Sequence, residues 1–171
     1  MKIAVIGYSA GGKSTLAERL GQAYGIGVLH LDRVYFSPGW KERDPGEAKS
    51  LVGAFMAGDS WIIDGNFNRL FLKERLELAE CIIFLDFNRF SCLFRAVSRY
   101  FKYRGKTRKS VAEGCPEKLD FAFIRWILFE GRTKEKRKYY AGIVETYWNK
   151  TTVLKNQKEL DGFYAFLSSR E

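Results

Sequence analysis

The stretch GYSAGGKST, residues 7–15, decides the fold of this chain. It follows a short apolar run, KIAVI at residues 2–6, and precedes the stretch LAERL at residues 16–20. This order predicts a buried strand, then a glycine-rich turn, then the start of a helix.

Four positions of this stretch match the pattern G-x-x-x-x-G-K-[ST]: Gly7, Gly12, Lys13 and Ser14. The glycines let backbone N–H groups turn inward around an anion, because no Cβ stands in the way. The helix that follows directs its positive end to the same place. The pattern predicts a phosphate-binding loop in which Lys13 reaches the outer phosphates and the Ser14 hydroxyl binds Mg²⁺. The residues predicted to bind a nucleoside triphosphate are Gly7, Ser9, Ala10, Gly11, Gly12, Lys13, Ser14 and Thr15.

The length of 171 residues and the 46% hydrophobic content predict one domain with its own core. The formal net charge of +9 predicts anionic partners, which could be nucleotides, phosphorylated molecules or nucleic acid. Cys81, Cys92 and Cys115 are odd in number and lack metal-site spacing, which indicates a reduced, cytoplasmic protein. The N-terminal apolar run is too short for a signal peptide, and no stretch has the length of a membrane span.

Predicted strands and helices alternate along the chain. The apolar runs predict strands at residues 1–7, 27–31, 60–63, 81–85 and 151–154. Helices are predicted at residues 13–24, 47–57, 69–79, 91–103, 120–148 (with a break near Gly131) and 159–167. The alternation predicts an α/β fold, with helices on both faces of a parallel sheet and ligands beyond the carboxyl ends of its strands. Residues 104–119 contain Gly105, Gly114 and Pro116, which predicts a loop or lid.

Three of the predicted strands end at an aspartate: Asp32, Asp64 and Asp86. We expect Asp64 to hold magnesium-bound water beside Ser14, and Asp32 to face the acceptor as a base or as a second magnesium contact. The alternative for either residue is a helix cap or a turn. For Asp86, helix capping is the favoured interpretation. The single histidine, His30, lies between leucines, which favours a buried, hydrogen-bonded role over catalysis.

Two groups of aromatic residues have different interpretations. Tyr35, Phe36 and Trp40 lie in an irregular segment after the second strand, where they could form an apolar acceptor pocket or pack over the core. Trp126 and Phe129 are three positions apart on a predicted helix, and this spacing favours the core.

The excess positive charge is concentrated in residues 89–138. This segment contains 15 Lys and Arg against 5 Asp and Glu, a balance of +10 compared with +9 for the whole chain. Arg95 and Arg99 are four positions apart and share one helix face, and planar guanidinium groups suit phosphate oxygens. The alternative is a solvated cationic face, which is the favoured interpretation for Lys134, Lys136 and Lys138.

Several of these motifs resemble known proteins. The phosphate loop, Asp64-Gly65, and Arg95 with Arg99 resemble the nucleoside monophosphate kinases, adenylate kinase in particular. The strings HLDRVYFSPGW, WIIDGNFNR, IIFLDFNRFSCLFR, YRG and EGCPEKLDFAFIRWI resemble the bacterial family called DNA topology modulation protein, or FlaR. Together with the phosphate loop, these matches spread over about three quarters of the chain.

The resemblance implies a P-loop NTPase three-layer sandwich, with a five-stranded parallel sheet in the order 2-3-1-4-5. It implies a helical lid at residues 104–119 and a small acceptor-binding region at residues 33–59. It implies that Arg95 and Arg99 contact ATP, that Arg132 or Arg137 supplies a further lid arginine, and that adenine lies near Lys155 and Asn156. The implied substrate-binding residues are Asp32, Tyr35, Trp40, Asp64, Gly65, Asn66 and Arg69.

The first functional hypothesis is ATP- and Mg²⁺-dependent phosphoryl transfer to a small acceptor, with nucleotides among the candidates. Its catalytic residues are Lys13, Asp32, Arg95, Arg99 and Arg132, and its magnesium ligands are Ser14 and Asp64. The second is a nucleotide-binding regulator that affects DNA topology or binds nucleic acid, although no nucleic-acid-binding signature is present. The third, plain NTP hydrolysis, would need a residue that positions water, and the sequence marks none.

Overall fold

A computed structural model describes residues 1–168 as one sequence of strands and helices. In chain order these are β1 (Lys2–Gly7), α1 (Lys13–Tyr24), β2 (Val28–His30), α2 (Leu31–Tyr35), β3 (Phe36–Ser37), β4 (Lys41–Glu42), α3 (Pro45–Met56), β5 (Trp61–Asp64), α4 (Leu72–Leu78), β6 (Cys81–Leu85), α5 (Arg89–Tyr103), α6 (Phe121–Leu128), α7 (Lys134–Thr146), β7 (Thr151–Leu154) and α8 (Gln157–Ser168). Short 3₁₀ turns at Glu130–Arg132 and Trp148–Lys150 flank α7. Within these residues, no helix combines the length and the apolar character that crossing a membrane requires.

The central sheet has five strands, and every neighbouring pair in it is parallel. This confirms the predicted α/β class with a parallel sheet surrounded by helices. Strand β1 lies in the middle, with Val5 opposite Asp64 of β5 on one side and Ile83 of β6 on the other. Because β1 has neighbours on both sides and helices over it, its apolar run is buried from Ile3 onward.

The strand order is β2-β5-β1-β6-β7, whose labels differ from the predicted 2-3-1-4-5 although the same five apolar runs lie in the same spatial order. The difference arises after Asp32, where an irregular segment was expected. The chain instead forms α2 and the antiparallel hairpin β3–β4, which add two strands to the count before β5. The hairpin turns through Gly39 and Trp40, both with positive φ, and is joined to α2 by a hydrogen bond from Arg43 N to Tyr35 O at 2.8 Å.

The segment at residues 104–119 contains no helix, so the expected helical lid is wrong in that respect. It is a loop that folds back on itself, with a single antiparallel bridge between Thr107 and Pro116. Gly105 and Gly114 both have positive φ, as such reversals require. The helices α5 and α6 flank the loop on either side.

The core prediction for Trp126 and Phe129 is also wrong. Their exposed fractions are 40% and 61%, and the buried residue of α6 is Ile127. Helical spacing indicates which residues share a face, but the packing partners decide which face is buried. Trp126 lies over the phosphate loop instead, where its Nε1 donates to Ser9 Oγ at 3.1 Å.

Gly7 is the one position of β1 where no side chain fits. Its φ is +145°, and a Cβ there would lie 2.5 Å from the backbone oxygen of Leu85 in β6. The close approach of two strands at their carboxyl ends therefore requires glycine, and this brings the phosphate loop directly onto the edge of the sheet.

Arg75 of α4 is a fully buried cation that supports the loop after β5. Its guanidinium donates from Nε to Leu70 O at 3.0 Å, from Nη1 to Gly65 O at 3.1 Å and from Nη2 to Phe67 O at 3.2 Å. Burial lowers the pKa of this group to about 10. One side chain thus satisfies three backbone carbonyls of residues 65–70 and holds the loop in place.

We expect Arg75→Met to lower the free energy of unfolding by about 2–4 kcal/mol, because it leaves buried carbonyls without donors. The matched control is Lys73→Met on the same helix, whose side chain is 81% exposed and whose loss should change stability by less than about 0.5 kcal/mol. Urea denaturation followed by circular dichroism measures both. Equal stability of the two variants would contradict the supporting role of Arg75.

Candidate functional site

The phosphate loop curves around the N-terminus of α1. Gly12, just before the helix, has φ +102°, and Ala10 has φ +60°, so the backbone turns tightly between β1 and α1. The Lys13 ammonium donates to Gly7 O at 3.1 Å and to Tyr8 O at 3.2 Å. Lys13 therefore lies across the mouth of its own loop, within reach of an anion that enters it.

Asn66 joins this loop to the loop after β5. Its Nδ2 donates to Gly7 O at 2.6 Å, and Gly7 N donates to its Oδ1 at 3.0 Å. Gly65 N also donates to Val5 O at 3.1 Å. The sequence analysis predicted a substrate contact for Asn66, whereas in this structure its amide is paired with the backbone of Gly7.

Two carboxylates lie close to Lys13. Asp64 ends β5 and is 4% exposed, and Asp32 lies in the first turn of α2. Burial and the neighbouring Asp64 raise the pKa of Asp32, while Lys13 acts in the opposite direction. Burial lowers the pKa of Lys13, and both aspartates oppose that shift. The fold thus concentrates opposite charges in one poorly solvated place.

His30 lies behind Asp64 at the end of β2. Its Nδ1 is 3.2 Å from Asp64 Oδ2, and its Nε2 is 3.7 Å from Glu18 Oε1. Burial alone would lower the pKa of His30, but these carboxylates raise it overall. The predicted buried role of His30, paired through Asp64, agrees with this placement.

Arg95 of α5 approaches the phosphate loop from the opposite side. Its Nη1 donates to Gly11 O at 2.8 Å, and its Nη2 donates to Gln157 at the start of α8. The guanidinium also lies 4.0 Å from the centre of the Phe87 ring. Arg95 is therefore held beside the loop by its polar and its ring contacts.

Arg99, one turn further along α5, forms a charged cluster with the 104–119 loop. Glu117 has a side chain only 3% exposed, and it accepts from Arg99 Nε at 2.7 Å and from Arg108 Nε at 2.5 Å. Burial and the nearby Arg108 lower the pKa of Arg99. The sequence analysis missed Arg108 and Glu117 as site residues. Their signals were the string EGCPEKLDFAFIRWI, which contains Glu117, and the basic segment at residues 89–138, which contains Arg108.

The 104–119 loop and the β3–β4 hairpin meet above the phosphate loop. Trp40 Nε1 donates to Pro116 O at 3.0 Å, and Gly39 N donates to Gly114 O at 2.9 Å. The two segments form a roof over a cleft of about 1260 Å³. Eight Lys or Arg and five Asp or Glu line this cleft, so the walls favour anions.

Most predicted site residues lie on the wall of this cleft. Those on the wall are Ser9, Ala10, Gly12, Lys13, Ser14, Thr15, Asp32, Trp40, Asp64, Gly65, Asn66, Arg95 and Arg99. Those that do not line it are Gly7, Gly11, Tyr35, Arg69, Arg132, Lys155 and Asn156.

The residues away from the wall have other contacts. Tyr35 stacks on Phe67 with ring centres 4.5 Å apart, and Arg69 is exposed. Arg132 donates to Phe87 O and to Cys92 Sγ, and its guanidinium lies 3.8 Å from the centre of the Tyr8 ring.

The predictions for Asn156 and Asp86 concern residues near the starts of helices. Asn156 Oδ1 accepts from Glu159 N at 3.0 Å at the start of α8. The capping prediction for Asp86 is wrong, because Asn88 caps α5 and accepts from Ser91 N at 2.9 Å. Asn and Asp cap helices about equally well. Asn88 is the cap because it directly precedes α5, whereas Asp86 lies two residues earlier.

The residues of the site suit a magnesium ion that binds together with a nucleotide and needs few protein ligands. Within residues 1–168, no three Asp, Glu, His or Cys side chains cluster closely enough to hold a metal. Mg²⁺ bound with a nucleotide needs only one or two protein oxygens besides phosphates and water. Ser14 and Asp64 both line the cleft, and Asp64 Oδ2 is a buried oxygen whose neighbour His30 Nδ1, 3.2 Å away, does not meet it in hydrogen-bond geometry.

Comparisons with known proteins add no relative. No protein-family model matches the chain, and no curated protein matches it. The resemblance to the FlaR family and to nucleoside monophosphate kinases therefore stays a hypothesis.

We expect Asp32→Asn to raise the free energy of unfolding at neutral pH. The pKa of Asp32 is higher in the folded chain than its ordinary 3.8, so ionisation of this carboxyl destabilises the fold. The gain should shrink as the pH falls from the raised folded pKa of Asp32 towards 3.8, and it should vanish below 3.8, where the carboxyl is protonated in folded and unfolded chains alike.

Urea denaturation at a series of pH values measures this difference. Asp59→Asn, at an exposed position, is the matched control and should follow the unmodified protein. A loss of stability in Asp32→Asn at pH 7 would show that the environment of Asp32 favours its charge.

Proposed function

We propose that this protein transfers the γ-phosphoryl group of ATP to a small acceptor, with Mg²⁺ as cofactor. The observation that supports this most is the meeting of Lys13, Asp32 and Asp64 at the mouth of the phosphate loop, beneath the arginines of α5. Phosphoryl transfer depends on positioning and on neutralising charge, and this cleft offers both. The ATP would lie along residues 7–15.

The cations of the cleft would hold the triphosphate. Lys13 would exchange its bonds to the loop carbonyls for phosphate oxygens, and Arg95 and Arg99 would approach from α5. Arg108 would add a guanidinium from the roof. Guanidinium groups suit this task because they present paired donors to phosphate oxygens.

Asp32 would serve the acceptor. The acceptor hydroxyl oxygen would form a bond to the γ-phosphorus while the bond to the β–γ bridging oxygen breaks, and the hydroxyl proton would pass to the Asp32 carboxylate. Its raised pKa makes this carboxylate a better proton acceptor than an exposed aspartate. Mg²⁺, held by Ser14 and Asp64, would supply positive charge to the phosphate oxygens.

The roof would exclude water from the transfer. Phe36, Trp40 and Phe67 line the acceptor side of the cleft and give it an apolar face. Exclusion of water favours transfer to the acceptor over hydrolysis. The proposal places the protein in the cytoplasm, where ATP is available and thiols such as its three free cysteines stay reduced.

The test is transfer from ATP labelled at the γ-phosphate, with Mg²⁺ and a panel of nucleosides, nucleoside monophosphates and polyols. We expect at least one labelled product, and we expect Lys13→Ala to lower its rate by about 10²–10³-fold, as loss of a charge-stabilising group does. Lys73→Ala, on the exposed side of α4, is the matched control and should keep the full rate.

Two outcomes separate the alternatives. No product above the Lys13→Ala background across the panel would contradict the proposal. Release of labelled phosphate at a rate that no acceptor increases would instead support plain hydrolysis.

Nucleic-acid binding is a second candidate, and one observation favours it. Phe90, Phe94 and Phe101 of α5 are 71%, 73% and 69% exposed, on a helix that also carries Arg89 and Lys102. Exposed aromatic rings among cations are the groups that bind single-stranded nucleic acid by stacking and charge.

Fluorescence anisotropy with labelled single-stranded DNA tests this candidate. We expect the logarithm of the association constant to fall linearly with the logarithm of salt concentration. We expect the double variant Phe90→Ala/Phe101→Ala to bind more weakly at every salt concentration. Phe129→Ala, which removes an exposed ring elsewhere, is the control. Equal affinity of the double variant and the control would remove α5 as a stacking surface.

A further inference from the structure

A second cavity of about 290 Å³ adjoins the roofed cleft and shares Ser9, Asn66 and Trp126 with its wall. Tyr8 and Ser9 of the loop form part of its wall, and α6 and α7 supply much of the rest. The hydrogen bond from Trp126 Nε1 to Ser9 Oγ, at 3.1 Å, closes the boundary between the two cavities. We call it the side pocket.

The side pocket is cationic. Arg132 and Lys136 line it, and among the described residues no Asp or Glu does. Neither cation has a carboxylate within ion-pair distance in residues 1–168. Lys136 Nζ donates to Glu130 O at 2.8 Å, which leaves hydrogens on the ammonium group for a further acceptor.

The Arg132 guanidinium also has donors to spare. Its Nη2 donates to Phe87 O and lies 3.2 Å from Cys92 Sγ, whereas Nε and Nη1 make no hydrogen bond within residues 1–168. The hydroxyls of Tyr8 and Tyr140, which line the same pocket, have no hydrogen-bond partner there either. Several donors of this pocket therefore have no acceptor within residues 1–168, although Ser9, Asn66 and Asn68 also line it.

Much of the remaining wall is aromatic, with Asn66, Asn68 and Ile127 completing it. Trp126, Tyr139 and Tyr140 line the pocket beside Tyr8, and Lys136 Nζ lies 3.6 Å from the centre of the Trp126 ring. Aromatic walls favour a planar ligand, and unpaired cations favour an anionic one. The volume has room for one ring and one anionic group.

We propose that the side pocket binds a small aromatic anion, a ring that carries a carboxylate or a phosphate. Lys136 and Arg132 bind the anionic group, and Trp126 and the tyrosines contact the ring. The site does not depend on ATP or on an acceptor in the roofed cleft. A ligand here would contact Tyr8 and Ser9, so its binding would also affect the phosphate loop to which these two residues belong.

Nuclear magnetic resonance of the tryptophan indole N–H groups tests this site on the full chain. The chain has four tryptophans, and Trp126→Phe assigns the signal of the pocket. The buried indole of Trp61 is the internal reference. Benzoate and phenyl phosphate are the anionic probes, and benzyl alcohol is the neutral one. The two anionic titrations distinguish a carboxylate site from a phosphate site.

We expect the Trp126 signal to shift saturably with benzoate or with phenyl phosphate, and benzyl alcohol to bind at least about tenfold more weakly. Lys136→Met keeps a side chain over Trp126 without its charge, and we expect it to weaken the anion by about tenfold or more. Lys138→Met, an exposed neighbour on α7 that does not line the pocket, is the matched control and should bind as the unmodified protein does.

A Trp126 signal that neither anion shifts saturably would overturn the proposal. Equal binding of the anion to Lys136→Met and to the unmodified protein would also overturn it, because Lys136 does not line the roofed cleft. Should Lys136→Met not fold, the comparison of benzoate with benzyl alcohol on the unmodified protein decides. Calorimetry with ATP on the same sample tests the proposed function separately.

Discussion

The pair of hydrogen bonds between Asn66 and Gly7 is the interaction on which the candidate site depends. It joins the phosphate loop to the loop after β5 and holds the two loops against each other. Gly7 can make this approach because it has no side chain, at a point where a Cβ would collide with β6. Arg75 holds the other end of the same loop through three carbonyls. The position of Asp64 relative to Lys13 therefore follows from backbone contacts that begin in α4.

The charged groups of the cleft lower the stability of the fold, and this loss of stability has a functional interpretation. Asp64 raises the cost of ionising Asp32, and Arg99 and Arg108 share one carboxylate, Glu117. A site selected for stability alone would separate like charges or replace them with apolar groups. An incoming triphosphate with Mg²⁺ would change this balance, because it brings negative charge to the arginines and positive charge to the aspartates. Perturbed groups of this kind cluster at functional sites.

Local signals in the sequence predicted the parts of the fold that local physics determines. The predicted and observed limits of α1 coincide at Lys13–Tyr24, because a phosphate-loop motif starts the helix and Gly25 ends it in the left-handed conformation. Residues 81–85 and 151–154 formed the expected strands. In these stretches apolar runs lie between clear turn residues, and no distant contact is needed to define them.

Long-range contacts account for what the sequence analysis missed. The β3–β4 hairpin forms beside α2 and under the 104–119 loop. The residues of the hairpin alone do not predict contact with either neighbour. The helix predicted at residues 69–79 contains Arg75, but the sequence did not indicate that carbonyls of residues 65–70 would enclose its side chain. The spacing of Trp126 placed it on a common face with Phe129 but could not show that Ser9 would be its partner.

The roof of the cleft shows how the same long-range contacts could permit movement. Val111, Ala112 and Cys115 are buried against Phe36 and Trp40 in a small cluster that is separate from the main core. A few hydrogen bonds supplement it, including Trp40 Nε1 to Pro116 O. Because the cluster is small, separating its two halves exposes far less apolar surface than unfolding the sheet would. Separating the two halves of the roof would therefore cost less apolar burial than disturbing the phosphate loop, which is anchored in the main core through Gly7 and Asn66.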